Sequence, residues 1–227
     1  MSTRLASGSI GTHRARPIGP GISRLRPVPS DCRVVHEGKH LFFAGERDHD
    51  AFLVRSGNFK SYTIYADGEE QIVGLHGAGD VVGFDALFGI PAQCSVVALN
   101  TAHVQVLLMV GNMTSTDAEH GCTQLVFHAM YQELQRFTRL LHIERHPIDR
   151  RLAEFLLDFA ERQSQRGMSR SLLMLPVSRR DLARYLGLAP ETLSRTLTSF
   201  QTHGLIELNN REVAIVDRAG LKAMAAG

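Results

Sequence analysis

The chain has few cysteines and no long apolar run. Its three cysteines, Cys32, Cys94 and Cys122, are widely spaced, which fits neither a disulfide framework nor a zinc motif. No apolar stretch approaches the ~18–20 residues of a transmembrane helix. The start, MSTRLASGS, lacks the hydrophobic core of a signal peptide. These absences predict a cytoplasmic protein without a membrane partner.

The net charge is also low, +2 at pH 7, so the charge of the whole chain does not indicate a nucleic-acid partner. With 227 residues, 44% of them hydrophobic, the chain is long enough for two modest domains with separate cores. The local order of residues therefore carries the functional information.

Residues 177–206, VSRRDLARYLGLAPETLSRTLTSFQTHGLI, have the pattern of two short helices joined by a tight turn at Gly187. Apolar residues recur at helical spacing in both segments, at Leu182, Ala183 and Leu186 and then at Leu193, Leu197 and Phe200. Each segment is too short to be stable alone, so the two apolar stripes are expected to pack on each other at a steep angle. Pro190 suits the first turn of the second helix.

The outward face of the second predicted helix carries Glu191, Thr192, Ser194 and Arg195. These side-chain types contact base edges and phosphates in the major groove of DNA. After Gly204, the runs LIEL and REVAIV are joined at Asn209 and Asn210, which indicates a hairpin. A helical pair with a solvated charged face is the alternative, but a hairpin directly after the second helix is typical of a winged-helix domain and favours DNA binding.

The order S-R-x-D-L-A-x-Y-L-G-L-x-x-E-T-x-S-R resembles the DNA-binding domain of the CRP/FNR superfamily of bacterial regulators, and in particular its FNR branch. The resemblance implies that Glu191, Ser194 and Arg195 read the bases of a palindromic site of the TTGAT-N4-ATCAA type. Arg195 can form a bidentate pair with guanine, and Glu191 can accept a hydrogen bond from the amino group of cytosine.

The same resemblance implies that Ser178, Arg179 and Thr192 contact DNA phosphates. One position departs from the pattern, because Ala189 stands where relatives often have a capping Ser or Thr. The change removes a helix cap worth ~1 kcal/mol, so we expect somewhat weaker DNA binding.

Between about residues 32 and 110, short alternating runs are broken by turn signals about every 8–12 residues, which predicts an antiparallel barrel or jelly roll. The segment LVRSGNFKSYTIYADGEEQIVGLHGAGDVVGFDAL resembles the sensory β-roll of FNR proteins. The expected fold is α+β, with an N-terminal antiparallel β-roll like that of cyclic-nucleotide-binding domains, a long dimerisation helix and a C-terminal winged helix-turn-helix. The expected boundaries are 1–30 for a disordered basic arm, 31–115 for the β-roll, 116–146 for the dimerisation helix and 147–227 for the DNA-binding domain.

The predicted long helix carries a coiled-coil-like stripe formed by Val126, Met130, Leu134, Phe137 and Leu141. A helix that lies on its own β-roll would show the same spacing, and the family resemblance favours a homodimer instead. Two recognition helices related by a twofold axis can read a palindrome. Pro147 ends the helix because the residue before a proline avoids helical geometry.

The β-roll lacks the residues that hold known effectors in the superfamily. Cyclic-nucleotide-binding relatives use a Glu for the ribose and an Arg for the phosphate, whereas segment 83–95 has Asp85 shifted by one position and no Arg. Burying a phosphate without that cation is costly, so binding of cyclic AMP is not expected. Oxygen-sensing FNR proteins hold a [4Fe–4S] cluster with cysteines, but no cysteine precedes Cys32 and Gln105 stands at the β-roll ligand position.

In this respect the chain resembles the FixK and DNR types, and we predict no cofactor. Sensing through haem is an alternative, since the chain has eleven histidines, among them His36 and His40 at H-x3-H spacing. Sensing through a reactive cysteine is another alternative.

Together these features predict a homodimeric regulator, with activation as the expected mode, that binds double-stranded DNA and contacts RNA polymerase. One alternative is a DNA-binding protein whose cellular level alone sets its activity. Another is a metalloenzyme of the cupin type, but such enzymes hold their metal with an H-x-H motif that the β region lacks. The chain is therefore not expected to be an enzyme.

Overall fold

The computed structural model describes residues 24–110, 117–143 and 146–226. Within these residues the first domain consists of antiparallel strands and one short helix: β1 (Arg24–Val35), β2 (His40–Phe42), β3 (Ala51–Ser56), β4 (Asn58–Ile64), β5 (Glu70–Gly77), β6 (Val81–Val82), α1 (Phe84–Leu87), β7 (Ser95–Ala98) and β8 (Ala102–Val110). They form two sheets with the strand orders β1-β8-β3-β6 and β2-β7-β4-β5. Phe42, Phe52, Phe59 and Val104 are buried in one hydrophobic core. This arrangement confirms the predicted β-roll.

The β-roll begins earlier than predicted. β1 starts at Arg24, which pairs with Val110 of β8, so residues 24–30 belong to a strand and not to the predicted arm. The prolines in this stretch lack a backbone N–H, which is tolerated at a sheet edge but conceals the strand pattern. The pairing register shifts between Pro27 and Cys32. Residues 1–23 lie outside the described residues, so the arm itself stays a prediction.

A long helix, α2 (Asp117–Ile143), connects the β-roll to the second domain. Its first half packs on the β-roll, where Val126 and Ala129 join a buried cluster with Leu53, Val81 and Leu107. Pro147 is the N-cap residue of the next helix, α3 (Ile148–Gln165). A new helix therefore begins directly after Pro147, where the sequence predicted that the long helix ends.

The second domain contains α3, β9 (Leu172–Met174), α4 (Arg179–Tyr185), α5 (Pro190–Thr202), β10 (Ile206–Asn209), β11 (Glu212–Ile215) and α6 (Arg218–Ala226). Its strands form a sheet with the order β10-β11-β9. Asn209 pairs with Glu212, and Asn210 has φ 57, a left-handed conformation that Asn adopts more readily than most residues. The helix-turn-helix and the hairpin wing were predicted. β9 and α6 were not.

The two domains share a hydrophobic core. Tyr62, Ile72 and Leu75 from the β4–β5 sheet belong to the same buried cluster as Leu156 of α3 and Leu182 of α4. The winged-helix domain is therefore docked on the outer face of the β-roll. Across the described part of the chain, no helix combines the length and the apolar character that a membrane span would need.

Candidate nucleic-acid interface

The start of α4 is fixed by its own side chains. Ser178 is the N-cap residue, and its Oγ accepts a hydrogen bond from the Asp181 N–H at 3.0 Å. The neighbouring Arg179 donates from Nη2 to the Asn210 carbonyl at 2.9 Å. This bond joins the first helix of the motif to the tip of the wing. Ser178 is exposed and Arg179 is half-buried, and burial lowers the pKa of the Arg179 guanidinium.

Helix α5 has one buried face and one exposed face. Leu193, Leu197 and Phe200 are buried in the domain core. On the opposite side Glu191, Ser194 and Arg195 are exposed, at the i, i+3 and i+4 spacing that places side chains on one helical face. These three residues, here named the base-reading face, are not covered by the β-roll. The structure therefore leaves the three predicted base contacts side by side and accessible.

The first turn of α5 is suited to an anion. Ala189 is the N-cap residue and makes no side-chain capping bond, and Pro190 occupies the first turn. Thr192 is half-buried in the same turn. Because the N–H groups at a helix start point outward without helical partners, they can bind a phosphate oxygen. The predicted loss of a cap at Ala189 agrees with the structure.

One cation near this surface was not among the predicted DNA contacts. Arg211 is exposed at the tip of the wing, and it lines a cleft with Ser178, Arg179 and Asn210. The signal that could have identified it was its position next to Asn210 in the hairpin turn. Arg180, at the start of α4, is also exposed. The candidate phosphate-contacting surface therefore extends from the start of α4 to the wing.

The predicted dimer stripe on α2 divides into two parts. Val126 is 3% exposed and belongs to the core beneath the β-roll, and Met130 is half-buried against the same cluster. Leu134 and Phe137 are 60% and 53% exposed, respectively. The side chain of Leu141 lies outside the described residues. Val126 is therefore removed from the predicted dimer contacts, because its own β-roll already buries it.

Two other large apolar side chains of α2, Phe127 and Tyr131, are 66% and 61% exposed. Together with Leu134 and Phe137 they form the exposed α2 face. Contiguous exposed apolar side chains on a helix are typical of an interaction surface.

Comparison with known proteins agrees with this arrangement. Residues 32–109 match the cyclic nucleotide-binding domain family, and residues 150–224 match the Crp-like helix-turn-helix domain family. The chain is 34% identical over 207 residues to electron transport regulator A of Shewanella oneidensis, an alignment that covers 90% of this chain and 82% of that protein. The chain belongs to the CRP/FNR family.

Two further proteins illustrate the likeness. The fumarate and nitrate reduction regulatory protein of Escherichia coli is 32% identical over 218 residues, with 96% of this chain and 84% of that protein covered. The structure of FixK2 from Bradyrhizobium japonicum has a TM-score of 0.71 at 24% identity, covering 88% of this chain and 99% of that chain, and it supports the fold. As a CRP/FNR family member, this chain is a DNA-binding transcription regulator. Its relatives are regulators and not enzymes, so the cupin alternative is abandoned.

Some CRP/FNR proteins bind a cyclic nucleotide, but the corresponding segment of this chain uses its polar groups internally. Asp85 Oδ2 accepts a hydrogen bond from the Gln93 N–H at 3.0 Å, and Ser95 Oγ accepts one from the Ala44 N–H at 2.9 Å. Segment 83–95 contains no Lys or Arg to neutralise a buried phosphate. These residues do not fit a cyclic nucleotide.

The described residues do not fit an iron–sulfur cluster either. Gln105 is 5% exposed, and its Oε1 accepts hydrogen bonds from Arg55 Nε at 2.9 Å and Nη2 at 2.5 Å. Cys32 lies opposite Gln105 in the β1–β8 pairing and is exposed. The part of the chain that the structure describes has no group of three or more His, Cys, Asp or Glu side chains that could hold a metal. The side chain of Cys122 is outside that part.

Two histidines that could have ligated haem are already hydrogen-bonded. His40 Nε2 contacts the Tyr62 hydroxyl at 2.8 Å, and His76 Nε2 contacts Ser61 Oγ at 2.9 Å. Burial is the main cause that lowers the pKa of both imidazoles. His76 is buried, so it has no free approach for a haem iron.

The cysteines are expected to differ strongly in reactivity. Burial, followed by the nearby Asp85 charge, raises the pKa of the Cys94 thiol to about 11, so very little thiolate forms at neutral pH. Cys32 is exposed. Treatment of the native protein with iodoacetamide at pH 7.5 should modify Cys32 while Cys94 remains unmodified until urea is added, as followed by peptide mass spectrometry. Rapid native modification of Cys94 would contradict this assignment and revive thiol-based sensing at that position.

Proposed function

We propose that this CRP/FNR protein is a homodimeric transcription activator that binds a palindromic TTGAT-N4-ATCAA site without cyclic AMP and without a [4Fe–4S] cluster. The observation that carries the proposal is the base-reading face, in which Glu191, Ser194 and Arg195 lie together on the exposed side of α5. A guanidinium and a carboxylate on one helix face can read a guanine and a cytosine, respectively.

The exposed α2 face supports the dimer. One recognition helix contacts only a few base pairs, whereas two helices related by a twofold axis can contact successive major grooves. A twofold interface uses the same apolar patch on both copies, and Leu134 and Phe137 supply such a patch. We further propose that Ser178, Arg179, Thr192 and Arg211 contact phosphates.

Activation through RNA polymerase is the mode that we propose, because one relative, from Stutzerimonas stutzeri, is named transcriptional activator protein FnrA. That protein is 33% identical over 196 residues, which cover 86% of this chain and 80% of the relative. A DNA-binding regulator of this family acts where the chromosome is, so we infer a cytoplasmic location.

The internal hydrogen bonds of Gln105, Asp85 and Ser95 support DNA binding without a bound effector. The protein's concentration in the cell would then set its activity.

The absence of an effector is tested on anaerobically purified protein. We expect no visible chromophore, no stoichiometric iron, and equal DNA affinity before and after exposure to air. An absorbance band of a cluster or of haem would overturn this part of the proposal.

The DNA target is tested by fluorescence anisotropy with a TTGAT-N4-ATCAA duplex and a scrambled duplex of the same composition. At one fixed salt concentration, the palindrome should bind at least ~10³-fold more tightly, which is the lower range for specific recognition. Equal affinity for both duplexes would overturn the assigned target sequence.

A further inference from the structure

A single buried carboxylate joins three parts of the molecule. Asp80 lies in the loop between β5 and β6, and its side chain is 5% exposed. Its Oδ2 accepts hydrogen bonds from Arg136 Nη1 of α2 at 3.2 Å, from Arg166 Nη2 at the end of α3 at 3.0 Å, and from the Gly77 N–H at 2.8 Å. We name this group the Asp80 junction. It connects the β-roll, the long helix and the DNA-binding domain.

Asp80 is charged in this setting. Burial alone would raise the pKa of the Asp80 carboxyl, but the guanidinium groups of Arg136 and Arg166 outweigh that effect and the pKa is lowered. Loss of Arg166 would leave the buried Asp80 with Arg136 but without its second guanidinium, and a buried charge that loses part of its compensation is destabilised. Separating Arg166 from Asp80 is therefore unfavourable, and the end of α3 is held against the β-roll.

Two ion pairs at the edge of the domain contact act in the same direction. Lys60 Nζ of β4 lies 3.1 Å from Asp181 Oδ1 of α4, and Arg184 Nη1 of α4 lies 3.1 Å from Glu70 Oε2 of β5. Because these side chains are partly exposed, each pair contributes less than a buried one. Both connect the β-roll to α4, the helix that packs directly against α5.

The cleft beside the junction, about 630 Å³ in volume, does not favour an ionic ligand. Its lining includes three arginines and three acids, namely Arg136, Arg162, Arg166, Asp80, Asp158 and Glu161. These charges cancel. The fixed charges at this cleft therefore pair the two domains with each other.

We propose that Asp80 is a positioning residue that fixes the orientation of the winged-helix domain on the β-roll and so sets the separation of the two base-reading faces in the dimer. The link to DNA rests on the proposed function. The orientation itself is a property of the free protein. It follows that the spacing between half-sites, and not the preference for individual bases, depends on the Asp80 junction.

Arg166→Gln removes the charge that α3 contributes to the junction. Its matched control is Arg170→Gln, because Arg170 lies near the same end of α3 but pairs with Glu161 of its own domain. Gly77→Ala is a second test that keeps every charge. A Cβ at position 77 would collide with Arg166 Nη1, the flexible end of a side chain, so we expect Arg166 to move away from Asp80 without loss of the fold.

The first measurement is hydrogen–deuterium exchange of the DNA-free protein. Arg166→Gln and Gly77→Ala should accelerate exchange in the 77–80 loop, the end of α3 and α4, whereas Arg170→Gln should leave these segments at the wild-type rate. The second measurement compares palindromes with four or six base pairs between half-sites. The wild-type preference for four should fall by about tenfold or more in both junction variants, while the penalty for mutating a base within a half-site stays unchanged.

Unchanged exchange in both junction variants would overturn the proposal, as would an unchanged spacing preference in variants whose exchange has increased. If the wild-type protein shows no preference for the palindrome, the proposed target is wrong, and the exchange data alone then decide whether Asp80 fixes the domain orientation. A thermal melt of each variant shows whether it is folded. If Arg166→Gln does not fold, the exchange and spacing measurements on Gly77→Ala test the proposal.

Discussion

The double variant Leu134→Glu/Phe137→Glu is expected to be a folded monomer that binds the palindromic duplex at least ~100-fold more weakly than the wild-type protein. Both side chains are exposed on the chain, so their replacement should leave the protomer intact. In a twofold interface the two substitutions would place four carboxylates in contact with apolar surface. Burying such charges without partners is strongly unfavourable.

Sedimentation equilibrium measures the oligomeric state, and anisotropy titration measures DNA binding. Ile64→Glu/Tyr65→Glu is the matched control, because these side chains are 63% and 57% exposed, respectively, at the β4–β5 turn and not on α2. The control should remain a dimer with wild-type affinity. A dimeric Leu134→Glu/Phe137→Glu variant with unchanged affinity would show that the exposed α2 face is not the dimer interface.

Arg195→Ala should weaken binding to the TTGAT-N4-ATCAA duplex by ~1–3 kcal/mol, or about 5- to 150-fold, with little change in binding to scrambled DNA. Its side chain is exposed on α5, away from the buried residues of that helix, so the melting temperature should not change. The variant should also lose discrimination at one base pair of each half-site, because the bidentate contact to guanine is absent.

The informative comparison is Arg211→Ala on the wing, where the proposed contact is a phosphate. That variant should weaken binding to the palindrome and to scrambled duplex by the same factor, and it should reduce the dependence of affinity on salt. Duplexes substituted one base pair at a time measure the difference between the two variants. If Arg195→Ala weakens all duplexes equally, Arg195 contacts the backbone and the assigned recognition code is wrong.

The helix-turn-helix could be predicted because its signals are local. The apolar period of Leu182, Leu186, Leu193 and Leu197 requires two short helices that pack together. Since the apolar side of α5 must face that core, its polar side must face outward. The same reasoning predicted the wing, where Asn210 adopts the left-handed turn conformation.

The dimer stripe shows where a local pattern is insufficient. A helix that packs on its own β-roll and a helix that packs on a second copy have the same apolar spacing. The structure buries Val126 in the first way and leaves Leu134 and Phe137 exposed. The first part of β1, residues 24–30, was missed for a related reason, because strand pairing with β8, about 80 residues away in the chain, overrides the weak local preference of a proline-rich segment.

The sequence by itself determined the family, the two-domain order and which side of α5 is exposed, since each depends on residues that are close together in the chain; that Glu191, Ser194 and Arg195 read bases stays a prediction. Only the tertiary structure decided that Gln105 accepts hydrogen bonds from Arg55, that partial burial raises the pKa of the Cys94 thiol, and that Asp80 pairs with Arg136 and Arg166. Charged residues have no sequence periodicity that identifies their partners. Their pairing and their burial are consequences of how the β-roll, α2 and α3 pack together.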